Sequence, residues 1–84
     1  MEEKQIGKIV HYFGHVGVGI IGLSDGLKVG DKIRLIGHDY DFTQDVTSMQ
    51  IEHKDVPEGK VGEQVGVKLS QKVHQNDAVY KIID

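Results

Sequence analysis

The chain contains no cysteine, which excludes a disulfide framework, a zinc ribbon and a thiol nucleophile. That absence fits a reducing compartment. Helix-favouring residues are also scarce: one alanine, Ala78, and four leucines stand against eleven valines and nine isoleucines. Branching at Cβ stiffens χ1 and suits a pleated surface, so the composition points away from helices. With one arginine, Arg34, and a formal net charge of −3, the chain is not built to neutralise a phosphate backbone. DNA is therefore not an expected partner. No apolar run approaches the ~20 residues needed to cross a bilayer. The opening Met1-Glu2-Glu3-Lys4-Gln5 lacks the basic-then-apolar pattern of a signal peptide. A cytoplasmic location without a membrane partner is the expectation.

What remains is a chain of 84 residues, 38% apolar and 27% charged, the size and balance of one globular domain. Residues 1–84 are expected to form that domain, with 1–5 flexible. Eleven glycines and a single proline, Pro57, supply frequent turns. Strands are expected over Ile6–Phe13 and Val16–Leu23, around Gly14-His15. Further alternating strands follow at Lys32–Gly37, around Val65, Val67 and Leu69, and over Ala78–Ile83. The glycine- and proline-free stretch from His38 to Val56 has two patterns. Phe42, Val46 and Met49 recur at helical spacing, and Thr47, Met49 and Ile51 at strand spacing. Its aspartates and threonines weaken a helix, which favours one strand from about Thr43 to His53. The expected fold is all-β: a single small closed β-barrel of about six strands, because closure removes exposed edges. The expected core is Ile9, Val18, Ile20, Leu27, Val29, Ile33, Leu35, Met49, Ile51, Val65, Val67, Leu69 and Val79.

Motifs that could carry chemistry are few. Gly17-Val18-Gly19-Ile20-Ile21-Gly22 matches G-x-G-x-x-G, but a dinucleotide site needs a helix opening behind it. The residues that follow, Leu23-Ser24-Asp25-Gly26, cannot start one, so the match is read as coincidence. Of the five histidines (His11, His15, His38, His53 and His74), only His11 and His15 are spaced to share a metal ion, and a turn separates them. His38-Asp39-x-Asp41 is more simply a solvated loop than a cation site. Ser24, Ser48 and Ser70 lack a strained elbow. Neither a metal, a cofactor nor a catalytic residue is expected. Tyr12-Phe13 and Tyr40-x-Phe42 have no basic stripe around them and are assigned to the core or a protein-facing patch. Val29-Gly30-Asp31-Lys32-Ile33 and Val61-Gly62-Glu63-Gln64-Val65 share a Val-Gly-acid-x-aliphatic pattern, read as one turn-to-strand device used twice, with glycine supplying positive φ.

Several of these segments, in order, resemble a known family. Gly26-Leu27-Lys28-Val29-Gly30-Asp31-Lys32-Ile33-Arg34-Leu35 resembles the G-x-[aliphatic]-x-V-G-D-x-[aliphatic] signature of the second domain of elongation factor Tu. Val46–Lys54 is similar to that domain's next strand, Gly62–Leu69 to its A-G-[DE]-N-[VA]-G strand, and Asp77–Ile82 to its closing segment. The resemblance implies a free-standing, translation-factor-like β-barrel. It would act as a non-enzymatic binding module docking to a protein or ribonucleoprotein partner. The alternative it implies is an RNA-binding protein that recognises a tRNA end or a similar single-stranded terminus. Gln50 and Gln64 occupy the positions matching the tRNA-end pocket of the family. Together with His53 in the same strand as Gln50, they are the candidate binding residues. GTP binding is not carried over, since no phosphate loop or base-reading segment is present.

Overall fold

A computed structural model describes residues 2–83, and every regular element in it is a strand. The ten strands are β1 (Glu2–Phe13), β2 (Val18–Leu23), β3 (Leu27–Lys28), β4 (Lys32–Ile36), β5 (Asp41–Asp45), β6 (Met49–Ile51), β7 (Lys54–Asp55), β8 (Glu58–Gly59), β9 (Gln64–Lys68) and β10 (Ala78–Ile83). Eight form one antiparallel sheet in the order β5-β4-β10-β1-β2-β9-β6-β7, while β3 and β8 pair separately.

The long first strand organises the sheet. Its N-terminal half pairs with β10, from Glu2 opposite Ile83 onward, and its C-terminal half with β2, ending at Phe13 opposite Val18. Of residues 1–5, expected to be flexible, Glu2–Gln5 are paired in the sheet, and Met1 lies outside the described residues. Irregularities between Gln5 and Gly7 and between Ile9 and His11 bend the strand between its two neighbours. Each bulge adds a residue and a local twist. The first, between Gln5 and Gly7, also explains why Ile6 and Ile9, three apart rather than two, are both fully buried.

The sheet curls strongly but its ladders do not close, so the expected barrel of about six strands is corrected to a curled, open sheet with a separate two-stranded ribbon. Where β5 approaches β9, a side chain spans the gap. Gln44 Nε2 donates to the Lys68 carbonyl at 2.8 Å, and the Ser70 N–H donates to Gln44 Oε1 at 2.7 Å. One primary amide therefore substitutes for a rung of backbone pairing. The expected strand over 43–53 is also corrected. It is split into β5 and β6, because Val46 leaves the ladder to exchange backbone hydrogen bonds with the turn at Gly30-Asp31.

That turn occurs twice. In Lys28-Val29-Gly30-Asp31 and Lys60-Val61-Gly62-Glu63 the glycines have φ of 100° and 88°, the value a type II turn requires. The Asp31 and Glu63 N–H groups donate to the Lys28 and Lys60 carbonyls, each at 3.0 Å. Their carboxylates accept in return from the Lys28 N–H at 2.9 Å and the Lys60 N–H at 2.7 Å. Each turn then docks on a buried aliphatic residue: Gly30 N–H to Val46 O and Val46 N–H to Asp31 O, Gly62 N–H to Leu23 O and Leu23 N–H to Glu63 O. The device inferred from the sequence is present in both copies, down to the capping acid.

The core gathers Ile6 and Ile9 from β1, Ile21 and Leu23 from β2, Ile33 and Leu35 from β4, Val65 and Val67 from β9, and Val79 from β10. Leu27, Val46, Met49, Leu69 and Val73 complete it. Two expected core residues lie on the other face. On β2 the buried side is Gly19-Ile21-Leu23, and Val18 and Ile20 are only half-buried. The reason is Leu69, whose Cδ1 lies 2.6 Å from where a Cβ of Gly19 would be. The glycine faces inward and the leucine fills its place. Val29, at the second position of the first turn, is 42% exposed, and Ile51 only packs against the core edge.

Two exposed ion-pair clusters brace the sheet. Arg34 on β4 donates to Glu3 on β1 at 2.7 Å and to Asp41 on β5 at 2.7 Å through Nε. Lys4 pairs with Asp25. The Arg34 guanidinium holds the Asp41 carboxyl below the usual carboxylate range. The Lys4 ammonium, helped by the Gly26 N–H, does the same for Asp25. Asp41 is thereby committed to Arg34, and no group of three metal-ligating side chains is found among the described residues. No helix among the described residues is long and apolar enough to cross a membrane.

Candidate functional site

Because the core takes Gly19, Ile21 and Leu23, the opposite face of β2 presents Val18 and Ile20 outward. The next strands in the sheet are β9 and then β6. In register, Ile20 lies opposite Gly66, and Gly66 opposite Gln50. Gly66 has no side chain, so a trough runs between Ile20 and Gln50. A Cβ there would stand 3.3 Å from Val18 Cγ1 and 3.5 Å from Ile20 Cδ1, which places the floor on the same side as those two residues.

The resulting groove has a volume of about 840 Å³. Its apolar wall is Phe13, Val16, Val18, Ile20 and Ile51, and its polar rim is His15, Gln50, Glu52, His53, Glu63 and Gln64. Phe13 is 47% exposed and Val16 61%, although both are large apolar side chains. Clustered exposure of this kind marks interaction surfaces, whereas isolated exposed aliphatics do not. The His11 ring meets Phe13 edge-on, with centroids 4.5 Å apart, and limits the freedom of the phenyl group. On the far wall, Gln50 Nε2 donates to Asp55 Oδ1 at 3.0 Å, which holds the amide across the β6–β7 hairpin.

That hairpin turns through Glu52 and His53, with Ile51 opposite Lys54. Both turn residues are in the left-handed region, at φ of 51° and 65°. A two-residue hairpin of this hand normally uses Asn-Gly. Two ordinary side chains are instead held in a conformation that disfavours them, at the lip of the groove. Such outliers concentrate at ligand clamps and active sites.

The three candidate residues named from sequence, Gln50, His53 and Gln64, all line this one groove. Sequence reasoning missed its apolar wall. The signal available was the pairing of Val18 and Ile20 with intervening glycines, which was assigned to the wrong face. The G-x-G-x-x-G match lies within the β1–β2 turn and β2, with no helix behind it. Tyr12, Tyr40 and Phe42 pack against the core, and the Tyr40 hydroxyl accepts from the His74 N–H at 3.0 Å. No polar or charged side chain is fully buried among the described residues.

No family model matches the chain. It is similar to a protein of Methanocaldococcus jannaschii named as an uncharacterized protease, 46% identical over 77 residues, covering 90% of this chain and 19% of that one. The chain thus spans about a fifth of the length of that relative. Among solved structures, it resembles the C-terminal domain of a Geobacillus thermoleovorans protein described as a U32 peptidase. That match has a TM-score of 0.88 at 16% identity and covers 95% of this chain and 93% of that one. The selenomethionine form of the same domain gives 0.86 at 15% identity, covering 90% and 96%. These structural matches establish a shared fold.

They also correct the resemblance drawn from sequence. The relatives are a protease by name and the C-terminal domain of a U32 peptidase, not the second domain of elongation factor Tu. The translation-factor reading, and with it the docking module of that type and the tRNA-end alternative, is overturned. The V-G-[acid] motifs that suggested it belong to the paired turns, a device that any small β domain can use.

Proposed function

We propose that the chain is a non-enzymatic accessory β domain of a U32-type protease, and that its groove docks an extended segment of polypeptide. The observation that carries this is the groove itself: an exposed apolar wall on β2 faces the Gln50 amide across a floor at Gly66 with no side chain, and the Gln64 amide stands on the same floor strand. Amides at Gln50 and Gln64 can donate to and accept from a peptide backbone, while Phe13, Val16 and Val18 take apolar side chains. The similarity to about a fifth of a protein named as a protease supports a role alongside a separate catalytic body. The lack of any buried titratable side chain among the described residues supports a binding role over a catalytic one. A cytoplasmic setting is part of the same proposal, on the absence of cysteine.

The test uses the ¹⁵N-labelled chain and a neutral heptapeptide, Gly-Ser-Leu-Phe-Val-Ser-Gly. Saturable amide shifts at Val18, Ile20, Gln50, Ile51 and Gln64 are expected, together with intact fluorescent casein after incubation with the chain alone. Phe13→Ser should weaken binding with little change in melting temperature. Absence of saturable shifts, or shifts confined to another face, would overturn the docking role. Casein cleavage by the purified chain would overturn the non-enzymatic one.

A further inference from the structure

The groove is apolar along its floor and wall but not neutral at its rim. Glu52 and Glu63 line it, and no lysine or arginine does. Glu63 is fixed by its turn, its Oε1 accepting from the Lys60 N–H. Glu52 projects from the left-handed hairpin, which sets its backbone at the lip of the groove. The Glu63 carboxylate is therefore held in place before any partner arrives, so its interaction with a cation loses little to side-chain ordering.

Width restricts the occupant further. Ile20 and Gln50 are separated by one intervening strand, hence by two inter-strand spacings, or roughly 10 Å between backbones. Side chains on both walls narrow that opening. A single extended chain fits, whereas a helix with its side chains is about 10–12 Å across. A polyanion is disfavoured by the two carboxylates.

On these grounds we propose that the groove selects an extended apolar peptide segment flanked by lysine or arginine. This rests on the docking role above and adds the charge and conformation of the partner. Attraction at two rim carboxylates, against repulsion of an acidic peptide at the same points, gives a preference of roughly tenfold at low salt, on the scale of exposed ion pairs.

Three heptapeptides test it: the neutral one and its Lys-flanked and Glu-flanked versions, Gly-Lys-Leu-Phe-Val-Lys-Gly and Gly-Glu-Leu-Phe-Val-Glu-Gly, each titrated into the ¹⁵N-labelled chain. The Lys-flanked peptide should bind roughly tenfold more tightly than the Glu-flanked one. The ratio should fall toward one in 1 M salt, where the screening length is about 3 Å. Glu52→Gln with Glu63→Gln should abolish the preference, and glutamine at position 63 keeps the acceptor for the Lys60 N–H. The control pair Glu2→Gln with Glu58→Gln removes the same net charge away from the groove and should preserve it.

Equal affinity for the charged peptides, or a preference unchanged in the Glu52/Glu63 double variant, would overturn the charge selection while leaving the docking role standing. Failure of all three peptides to bind would remove both. Groove shifts that appear on concentrating the chain alone would identify a second copy as the occupant, and groove shifts with a single-stranded RNA of mixed sequence would identify a nucleic acid. Either result would overturn the peptide proposal.

Discussion

The hairpin at Glu52-His53 makes a prediction that runs against intuition: replacing both residues with the pair the turn prefers should stabilise the protein and impair its groove. In the left-handed region an ordinary L-residue is disfavoured by roughly 1–2 kcal/mol, and both residues sit there, at φ of 51° and 65°. Neither side chain is buried. Glu52→Asn with His53→Gly relieves much of that strain. The glycine also gives back about 0.4–1 kcal/mol by loosening the unfolded chain. The net expectation is stabilisation of about 1 kcal/mol, which for a chain of this size raises the melting temperature by roughly 4–8 °C. Urea unfolding followed by circular dichroism checks this, with a higher midpoint at unchanged slope. In the same variant the Lys-flanked peptide should lose part of its advantage, because one of the two rim carboxylates is gone while Glu63 remains. Unchanged or lower stability would refute the strain assigned to this turn.

Three other expectations follow from the scaffold. Gly30→Ala and Gly62→Ala should each destabilise by about 1–2 kcal/mol, and by the same amount. Both glycines have positive φ with nothing within 4 Å of the added methyl group, so the penalty is conformational, and unequal losses in urea unfolding would show that the two turns are not equivalent. Gln44→Ala should cost about 1–2 kcal/mol through its two hydrogen bonds and speed hydrogen exchange at the Ser70 amide, whereas unchanged exchange would show that the Gln44 bridge is not formed in solution. Asp41 and Asp25 are held below their ordinary pKa in the folded state, so their contribution is present above the unfolded value of about 3.9 and is lost as pH falls through the folded values. Stability should therefore be flat from neutral pH down to about pH 5 and decline below about pH 4. Asp41→Asn should flatten that decline, and an identical acid limb in the variant would contradict the role of the Arg34 pair.

Much of the β architecture is legible in the sequence because alternation and turn chemistry are local. Lys32–Ile36 and Gln64–Lys68 alternate cleanly, and the two Val-Gly-acid turns announce themselves by residue type. The errors arose where long-range contacts decide. On β2 both faces carry an aliphatic and glycine series, and only Leu69, distant in sequence, settles that Gly19 faces inward. The first bulge of β1 puts Ile6 and Ile9 on one side, and the second, past Ile9, interrupts alternation again. The strand expected over 43–53 is interrupted because Val46 is claimed by the Gly30 turn, a partner that no local pattern reveals. Ladder closure was inferred from the need to protect edges, but Gln44 meets part of that need with a side chain. Gln50, His53 and Gln64 lie in the same groove although the family resemblance behind Gln50 and Gln64 is overturned. Their strands are adjacent in this fold whatever its ancestry.

Whether the groove between β2 and β6 seats an extended peptide can be read from intermolecular nuclear Overhauser effects. With the Lys-flanked heptapeptide at saturation, methyl protons of Val18 and Ile20 should show contacts to the central Leu-Phe-Val side chains, and the Gln64 amide to a peptide backbone proton. Contacts from the peptide to another face, or none at saturation, would contradict that seating.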